Sequence, residues 1–556
     1  MNQMKAKIYI IITSLIFISN CFSQKNDITS EKPKFWHHED YGSTNIPGIS
    51  LDKAINSVKH LSPKKQIIVA VIDTQIDALH EDLNTNIWTN KKEIPNNGID
   101  DDKNGFTDDI HGWNFLGNKA GGYTVWANFE YIRILRDYEP IFKNKSKEEI
   151  SVEDKFKYEQ YLKAIENDKK FSKYFNSYIK SLKYDISLYQ KTKDTLRHFF
   201  PKENYTYKQL DSLYRKYKIN DKTYKERRDS NDQDLGALLD SYMTSIDVGL
   251  NSYAELTDAL KQKDSTLNKS CSLSFNERKN IDSETSNRGY GNNKTQVEIK
   301  GIPTFSNHST EVSSIIAAKR ENNLGIKGFS DNIKIMPLTV CASGDEHDHD
   351  IALAVKYAVD NGAKVINMSF GKDLSMYPEL IKEALQYAEK HNVLVIHAAG
   401  NNGMNIDEST FFPNDFYKKE VCNNFINVGS INKNHGEKMV SSFSNYGKVN
   451  VDLFAPGEDI YTAIPDNQYS FDSGTSLAAP MVSGAAALIW LYYPKLTVQQ
   501  MKYIILESGT SYDLDVIVPG TKDKKVKFSE LSKTGKVLNV YNAMEMAKEM
   551  NKGKCK

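Results

Sequence analysis

The stretch Lys334–Met368, KIMPLTVCASGDEHDHDIALAVKYAVDNGAKVINM, decides the fold. Lys334 to Val340 is an apolar run of strand length. After an acidic loop, Ile351, Ala354, Val355, Ala358 and Val359 recur at helical spacing. Gly362 supplies a C-terminal cap, and Val365-Ile366-Asn367-Met368 returns as a strand. The alternation repeats downstream, with Leu380, Ala384, Leu385 and Ala388 on one helix face and Val393-Leu394-Val395-Ile396 as the next strand. Such units require right-handed crossovers, and so a mostly parallel central sheet covered by helices on both faces, a three-layer α/β fold. Upstream, Ile67 to Ile72 is a continuous apolar run, the pattern of a strand buried on both faces. It ends at Asp73. Chemistry in open parallel sheets gathers at the carboxyl ends of strands, which makes Asp73 a candidate functional residue.

Outward from this core the texture changes. Residues 24–116 and 287–550 read as two parts of one α/β domain, and residues 117–286 as an inserted α-helical subdomain. In the insert, Phe171, Tyr174, Phe175, Tyr178, Ile179, Leu182, Ile186 and Tyr189 follow helical spacing. Pro201 ends that helix, and Leu210–Tyr217 and Leu235–Leu260 read as further helices. Between Tyr131 and Ser230 there are 25 Lys or Arg against 16 Asp or Glu, with 13 Tyr. That surplus fits either a solvated helical hairpin with tyrosines packed between its helices or a surface for polyanions. Over all 556 residues the 72 basic and 72 acidic side chains cancel, which argues against a dedicated nucleic-acid binder.

At the N-terminus, Lys5 and Lys7 precede an apolar run from Ile8 to Ile18. Eleven residues at about 1.5 Å each fall short of a hydrocarbon layer about 30 Å thick, so residues 1–23 read as a signal peptide rather than a membrane span. Cys21-Phe22-Ser23 offers small residues for cleavage before Gln24; the rival reading makes Cys21 a lipidated terminus. Either way the chain is expected to be exported, and no later segment is apolar enough to span a bilayer. The five cysteines are too scattered for a disulfide framework or a zinc site, and the oligomeric state is not legible.

Three further stretches carry chemistry. Gly474-Thr475-Ser476-Leu477-Ala478-Ala479-Pro480 opens a long apolar helix pattern. A helix start leaves N–H groups without internal partners and with partial positive charge, which suits a nucleophile whose attack creates an oxyanion. Ala399-Gly400-Asn401-Asn402-Gly403 follows a strand, where an Asn amide can donate to that oxyanion. His308-Ser309-Thr310-Glu311-Val312 opens another helix pattern, and a His there can act as general base. Taken singly, each fits a cap or a turn. Together, Asp73, His308, Asn401 and Ser476 all fall at strand ends or helix starts of one expected sheet, with Asp, His and Ser in that chain order.

On these motifs the chain resembles the subtilisin-like serine peptidases. Val71-Ile72-Asp73-Thr74 is similar to the family's Asp motif, His308 to Val312 to its His-Gly-Thr-His-Val, and Gly474 to Pro480 to its Ser motif. Asn367-Met368-Ser369-Phe370-Gly371 is similar to its substrate-binding strand. The resemblance implies a serine endopeptidase needing no cofactor for chemistry, with protein or peptide substrates. It further implies that Ser369, Phe370 and Gly371 pair with substrate backbone, while Ala398, Ala399 and Gly400 wall the pocket for the residue preceding the scissile bond (P1). Those small residues suggest room for a large P1 side chain. The chain departs from the pattern at Gln75 and Ser309, where the family has Gly, and at Glu311, where it has a second His. Asp73 and His308 are also 235 residues apart, far more than is usual, and the insert fills that gap. A catalytically weak or silent peptide-binding scaffold and polyanion binding by the insert stay open as alternatives.

Asn97 to Asp109 places oxygen side chains at alternating positions, with Gly105 for a turn. Asp100, Asp102, Asn104 and Asp108 are the candidate ligands of a structural Ca2+, against the reading of a plain acidic turn. Gly344 to Asp350 reads as an acidic loop capping the helix that follows.

Overall fold

The computed structural model describes residues 33–63, 65–118, 120–280, 291–298, 307–415 and 422–552. The signal-peptide segment and Cys21 lie outside the described residues. The chain divides into two compact units, one formed by residues up to Glu130 and from Glu277 onward, the other by Tyr131–Asn276. Both boundaries of the second unit fall inside the span 117–286.

The first unit is built on a nine-stranded sheet. In chain order its strands are β1 (Ile67–Asp73), β2 (Trp113–Asn114), β3 (Ile333–Thr339), β4 (Val365–Met368), β5 (Leu394–Ala398), β6 (Phe425–Ile431), β7 (Leu453–Pro456), β10 (Thr510–Ser511) and β13 (Lys536–Val537). Two small antiparallel pairs stand apart, β8 (Ile460–Ile464) with β9 (Gln468–Asp472), and β11 (Asp515–Ile517) with β12 (Lys525–Lys527). The sheet order is β10-β13-β7-β6-β5-β4-β1-β3-β2, parallel except for the β10–β13 pair at one edge. β1 lies between β3 and β4, so the chain crosses over it on passing from β3 to β4. The carboxyl end of β1 is therefore a switch point, where open α/β sheets leave a crevice.

Alternation along the strands sorts side chains into two cores. Val69, Val71, Ile335, Ile396 and Val428 face the helices α1 (His308–Ala317) and α4 (Thr475–Tyr492). Ala70, Ile72, Met336, Ile366 and Val395 face α2 (Asp348–Asp360) and α3 (Pro378–Lys390). Asp73, two residues beyond Val71, thus shares the face of α1 and α4. Helix α4 is the one helix among the described residues long and apolar enough to cross a membrane, and it is almost wholly buried as the core helix of this unit.

The second unit is helical throughout. The helix Lys155–Phe199 packs on Leu235–Asp247 and Tyr253–Asn268. Its buried side chains include Phe171, Phe175, Ile179 and Leu182, and Pro201 follows its end. The stretch read as one helix from Leu235 to Leu260 is two. Gly249 adopts a left-handed conformation, and Ser252 then caps the next helix in a reciprocal capping box with Glu255. Part of the basic surplus is internal: Arg227 is fully buried against Asp234 and Asp240. Lys180, Lys193, Arg197, Arg215 and Lys222 at its surface are each matched to a carboxylate.

Candidate active site

The His308 imidazole meets the Asp73 carboxylate across 235 residues of sequence, Nδ1 lying 2.8 Å from Oδ1 and 2.9 Å from Oδ2. Asp73 Oδ1 also accepts the Thr74 N–H at 2.7 Å. The turn after β1 is stitched to the first turn of α1, since Ser309 N–H donates to Thr74 Oγ1 and Asp77 N–H to Thr310 Oγ1. With Nδ1–H donating to Asp73, Nε2 becomes the basic nitrogen of His308. Burial pulls the His308 pKa down, but the charge and hydrogen bond of Asp73, with Asp472 and Glu346 nearby, outweigh it and leave the pKa raised. Asp472 ends β9 and accepts a hydrogen bond from Glu311, whose own pKa burial and the two neighbouring aspartates drive well above the carboxylate range. Glu311, which stands where the family has a second His, lies one helical turn from His308.

Ser476 sits in the first turn of α4. Its Oγ lies 2.7 Å from where a Cβ on Gly474 would stand, so any side chain at 474 would cover the hydroxyl. The Asn401 Nδ2 lies 3.5 Å from the same point. The orientation of that amide is fixed from its other end, because Asn401 Oδ1 accepts both the Thr475 N–H at 2.8 Å and the Thr475 hydroxyl at 2.9 Å. Pro480 has no N–H to offer the Ser476 carbonyl four residues back. The Ser369 hydroxyl donates to that carbonyl instead, at 2.8 Å. Asn367 donates to Ser369, and Ser483 of α4 donates to Asn367, which ties helix and strand together side chain by side chain.

The Ser369–Gly371 segment extends β4, and Ala398–Gly400 closes β5. Lys372 fixes the end of the first by a buried ion cluster, 2.9 Å from Asp348 and 3.2 Å from Glu130. Asp350 pairs with Arg278 and His347 with Glu277, so the acidic loop before α2 is a hub of ion pairs and its N-cap residue makes no side-chain cap. Gly400 needs a positive φ of 101°, and Asn445 holds the loop after it, bonding Ala399 O, Gly400 O, Asn402 N and Met404 N. Neither Lys372 nor Asn445 carries a sequence signal that would have singled it out. Gln75 and Ser309, the departures from glycine, adopt no left-handed backbone, so neither strains its turn.

The acidic loop gathers Glu93, Asp100 and Asp102, whose ligand oxygens all lie within 4.8 Å of one another. Asp108 is turned to the loop itself and accepts the Asn97 and Gly98 N–H groups. Asn104 accepts from the Phe106 N–H and donates to Asp109. Of the four candidates, Asp100 and Asp102 come together, and Glu93 joins them.

A helix-covered, mostly parallel sheet with Asp73 at the carboxyl end of a central strand, and His308 and Ser476 in the first turns of helices packed on one face, has the architecture of the subtilisin-like class of α/β proteins. The chain belongs to the subtilase family, whose profile matches residues 64–529. It is 40% identical over 186 residues to a thermophilic serine proteinase of Bacillus sp. (strain AK1), covering 33% of this chain and 43% of that one. It is 34% identical over 217 residues to a cell wall-associated protease of Bacillus subtilis, covering 39% of this chain and 22% of the other. With subtilisin DY of Bacillus licheniformis the identity is 32% over 206 residues, 37% of this chain and 70% of that enzyme. The chain thus spans less than half the length of the first two relatives.

Proposed function

We propose that this protein is an exported serine endopeptidase that cleaves peptide bonds by acyl transfer. One observation carries the reading: the Asp73–His308 contact lies at the carboxyl end of β1, on the sheet face where α1 packs against the helix that Ser476 opens. His308 Nε2 takes the Ser476 proton as Oγ attacks the peptide carbonyl carbon. Asp73 holds the ring in the required tautomer and stabilises the imidazolium. The Asn401 amide and the Ser476 N–H donate to the oxyanion. His308 then passes its proton to the leaving amine as the C–N bond breaks. Water attacks the resulting ester, gives its proton to His308, and the serine is restored.

The substrate backbone lies along Ser369–Gly371 as an added strand, with the P1 side chain entering between Gly371 and Ala398–Gly400. Three carboxylates converging on one point suit a hard cation with oxygen ligands, so Glu93, Asp100 and Asp102 are assigned to a structural Ca2+. Its contribution is to hold the loop, with no part in the chemistry. Export is supported by the basic and apolar N-terminal pattern and by a relative named as cell wall-associated.

The test is turnover of an unfolded protein substrate by purified protein and by Ser476→Ala. Hydrolysis that vanishes in the variant supports the reading. Equal hydrolysis by both, or none by a folded wild type, rejects it in favour of a peptide-binding scaffold.

A further inference from the structure

Resting on the peptidase reading, we infer that Phe411 closes the P1 pocket and restricts cleavage to bonds that follow glycine, alanine or serine. The two backbone walls of that pocket face each other through Gly371 and Gly400. A Cβ placed on Gly371 would lie 2.4 Å from Phe411 Cε1 and 2.5 Å from Cζ. One placed on Gly400 would lie 2.8 Å from Cζ and 3.0 Å from Cε1 of the same ring. One edge of a single phenyl ring therefore fills the gap that the two glycines leave between the walls. The small residues at 398–400, which alone would suggest a deep slot, make room for a side chain of the protein itself.

The ring is held in place from several sides. It packs with Ala399, Ile406 and Val451 in a small apolar cluster and is nine-tenths buried. Its centroid lies 5.9 Å from that of His397, whose Nε2–H donates to the Phe370 carbonyl on the substrate strand. Its backbone is pinned as well. Phe412 pairs with Lys372 by reciprocal N–H to carbonyl bonds of 2.8 and 2.9 Å, directly beyond Gly371. Asn414 Nδ2 donates to the Phe411 carbonyl at 2.9 Å. A P1 side chain longer than a methyl or hydroxymethyl group would have to displace a ring that is fixed by backbone pairing and packed on three residues. Cores close-packed to this degree do not yield freely.

The test uses matched peptidyl p-nitroanilides that differ only at P1, with Gly, Ala, Leu or Phe, on full-length protein. The wild type should favour Ala over Phe by about 100-fold in kcat/KM, the upper range for pocket discrimination by size. Phe411→Gly should reverse that order towards Leu and Phe. Should that variant fold poorly by thermal melt, Phe411→Ala should shift the ratio in the same direction, and the wild-type series decides by itself. A wild type that cleaves after Phe or Leu as fast as after Ala overturns the inference, as does a folded Phe411 variant with an unchanged ratio. Fluorophosphonate labelling of the same preparations separates the two claims. Labelled Ser476 with the wrong P1 order rejects the Phe411 assignment alone, whereas folded protein neither labelled nor active rejects the peptidase reading and this inference with it.

Discussion

In the helical unit, Thr206 caps onto Gln209, Thr223 onto Glu226 and Ser252 onto Glu255, each partner three residues away. In the sheet unit, Asp73 reaches His308 across 235 residues and Ser369 reaches the Ser476 carbonyl across 107. The first kind of contact is specified by neighbouring residues and helps one helix at a time. The second exists only when the whole sheet has formed, because each partner arrives on a different strand or helix. A single substitution in the sheet unit should therefore disturb chemistry or global stability, while one in the helical unit should register as local loosening.

Asp73→Asn should lower kcat/KM by about 10⁴-fold with the protein still folded, because the amide favours the wrong His308 tautomer. Steady-state kinetics beside a thermal melt would check it, and a loss under tenfold would mean that Asp73 does not orient the imidazole. Next in size is Lys372→Met. It strands the carboxylates of Asp348 and Glu130 without their buried cation and should destabilise the sheet unit by about 3–5 kcal/mol in denaturant unfolding. A third effect is a shift rather than a loss. The acid limb of kcat/KM should follow His308, whose pKa is raised and which must be neutral to accept the serine proton. Asp472 contributes to that rise, so removing its negative charge makes the imidazolium less favourable. Asp472→Asn should move the limb to lower pH, and an unmoved limb would show that Asp472 is not felt at the ring.

The smallest effect belongs to the helical unit. Ser252→Ala should cost about 1 kcal/mol of local stability, seen as faster hydrogen exchange in Tyr253–Asn268 with unchanged peptide turnover. Global unfolding of comparable size in both units would break the contrast.

The same contrast explains what could be read in the sequence. Strands expected at Ile67–Ile72 and Val365–Met368 were legible because buried parallel strands are uninterrupted apolar runs, and the observed elements are Ile67–Asp73 and Val365–Met368. The long helix was legible from its period, whereas the break at Gly249 was hidden by the apolar residues on either side of it. Asp73, His308, Asn401 and Ser476 stood out because they flank such runs with chemistry-bearing groups. Phe411 did not, since one more aromatic between turn residues has no spacing that betrays where its ring points. Glu93, Asn445 and Lys372 were hidden likewise, each defined by partners far along the chain. The proximity of Glu311 to Asp472 could not be read either, because the two lie on elements far apart in the chain.

The most direct measurement is the rate at which a fluorophosphonate modifies Ser476, mapped by peptide mass and followed against pH in the wild type and in His308→Ala. The expected result is modification at Ser476 alone, with a rate rising through a pKa higher than that of a free imidazole and falling by orders of magnitude in the variant. Modification at another residue, or an equal rate at Ser476 without the imidazole, would contradict an assembled acid, base and nucleophile.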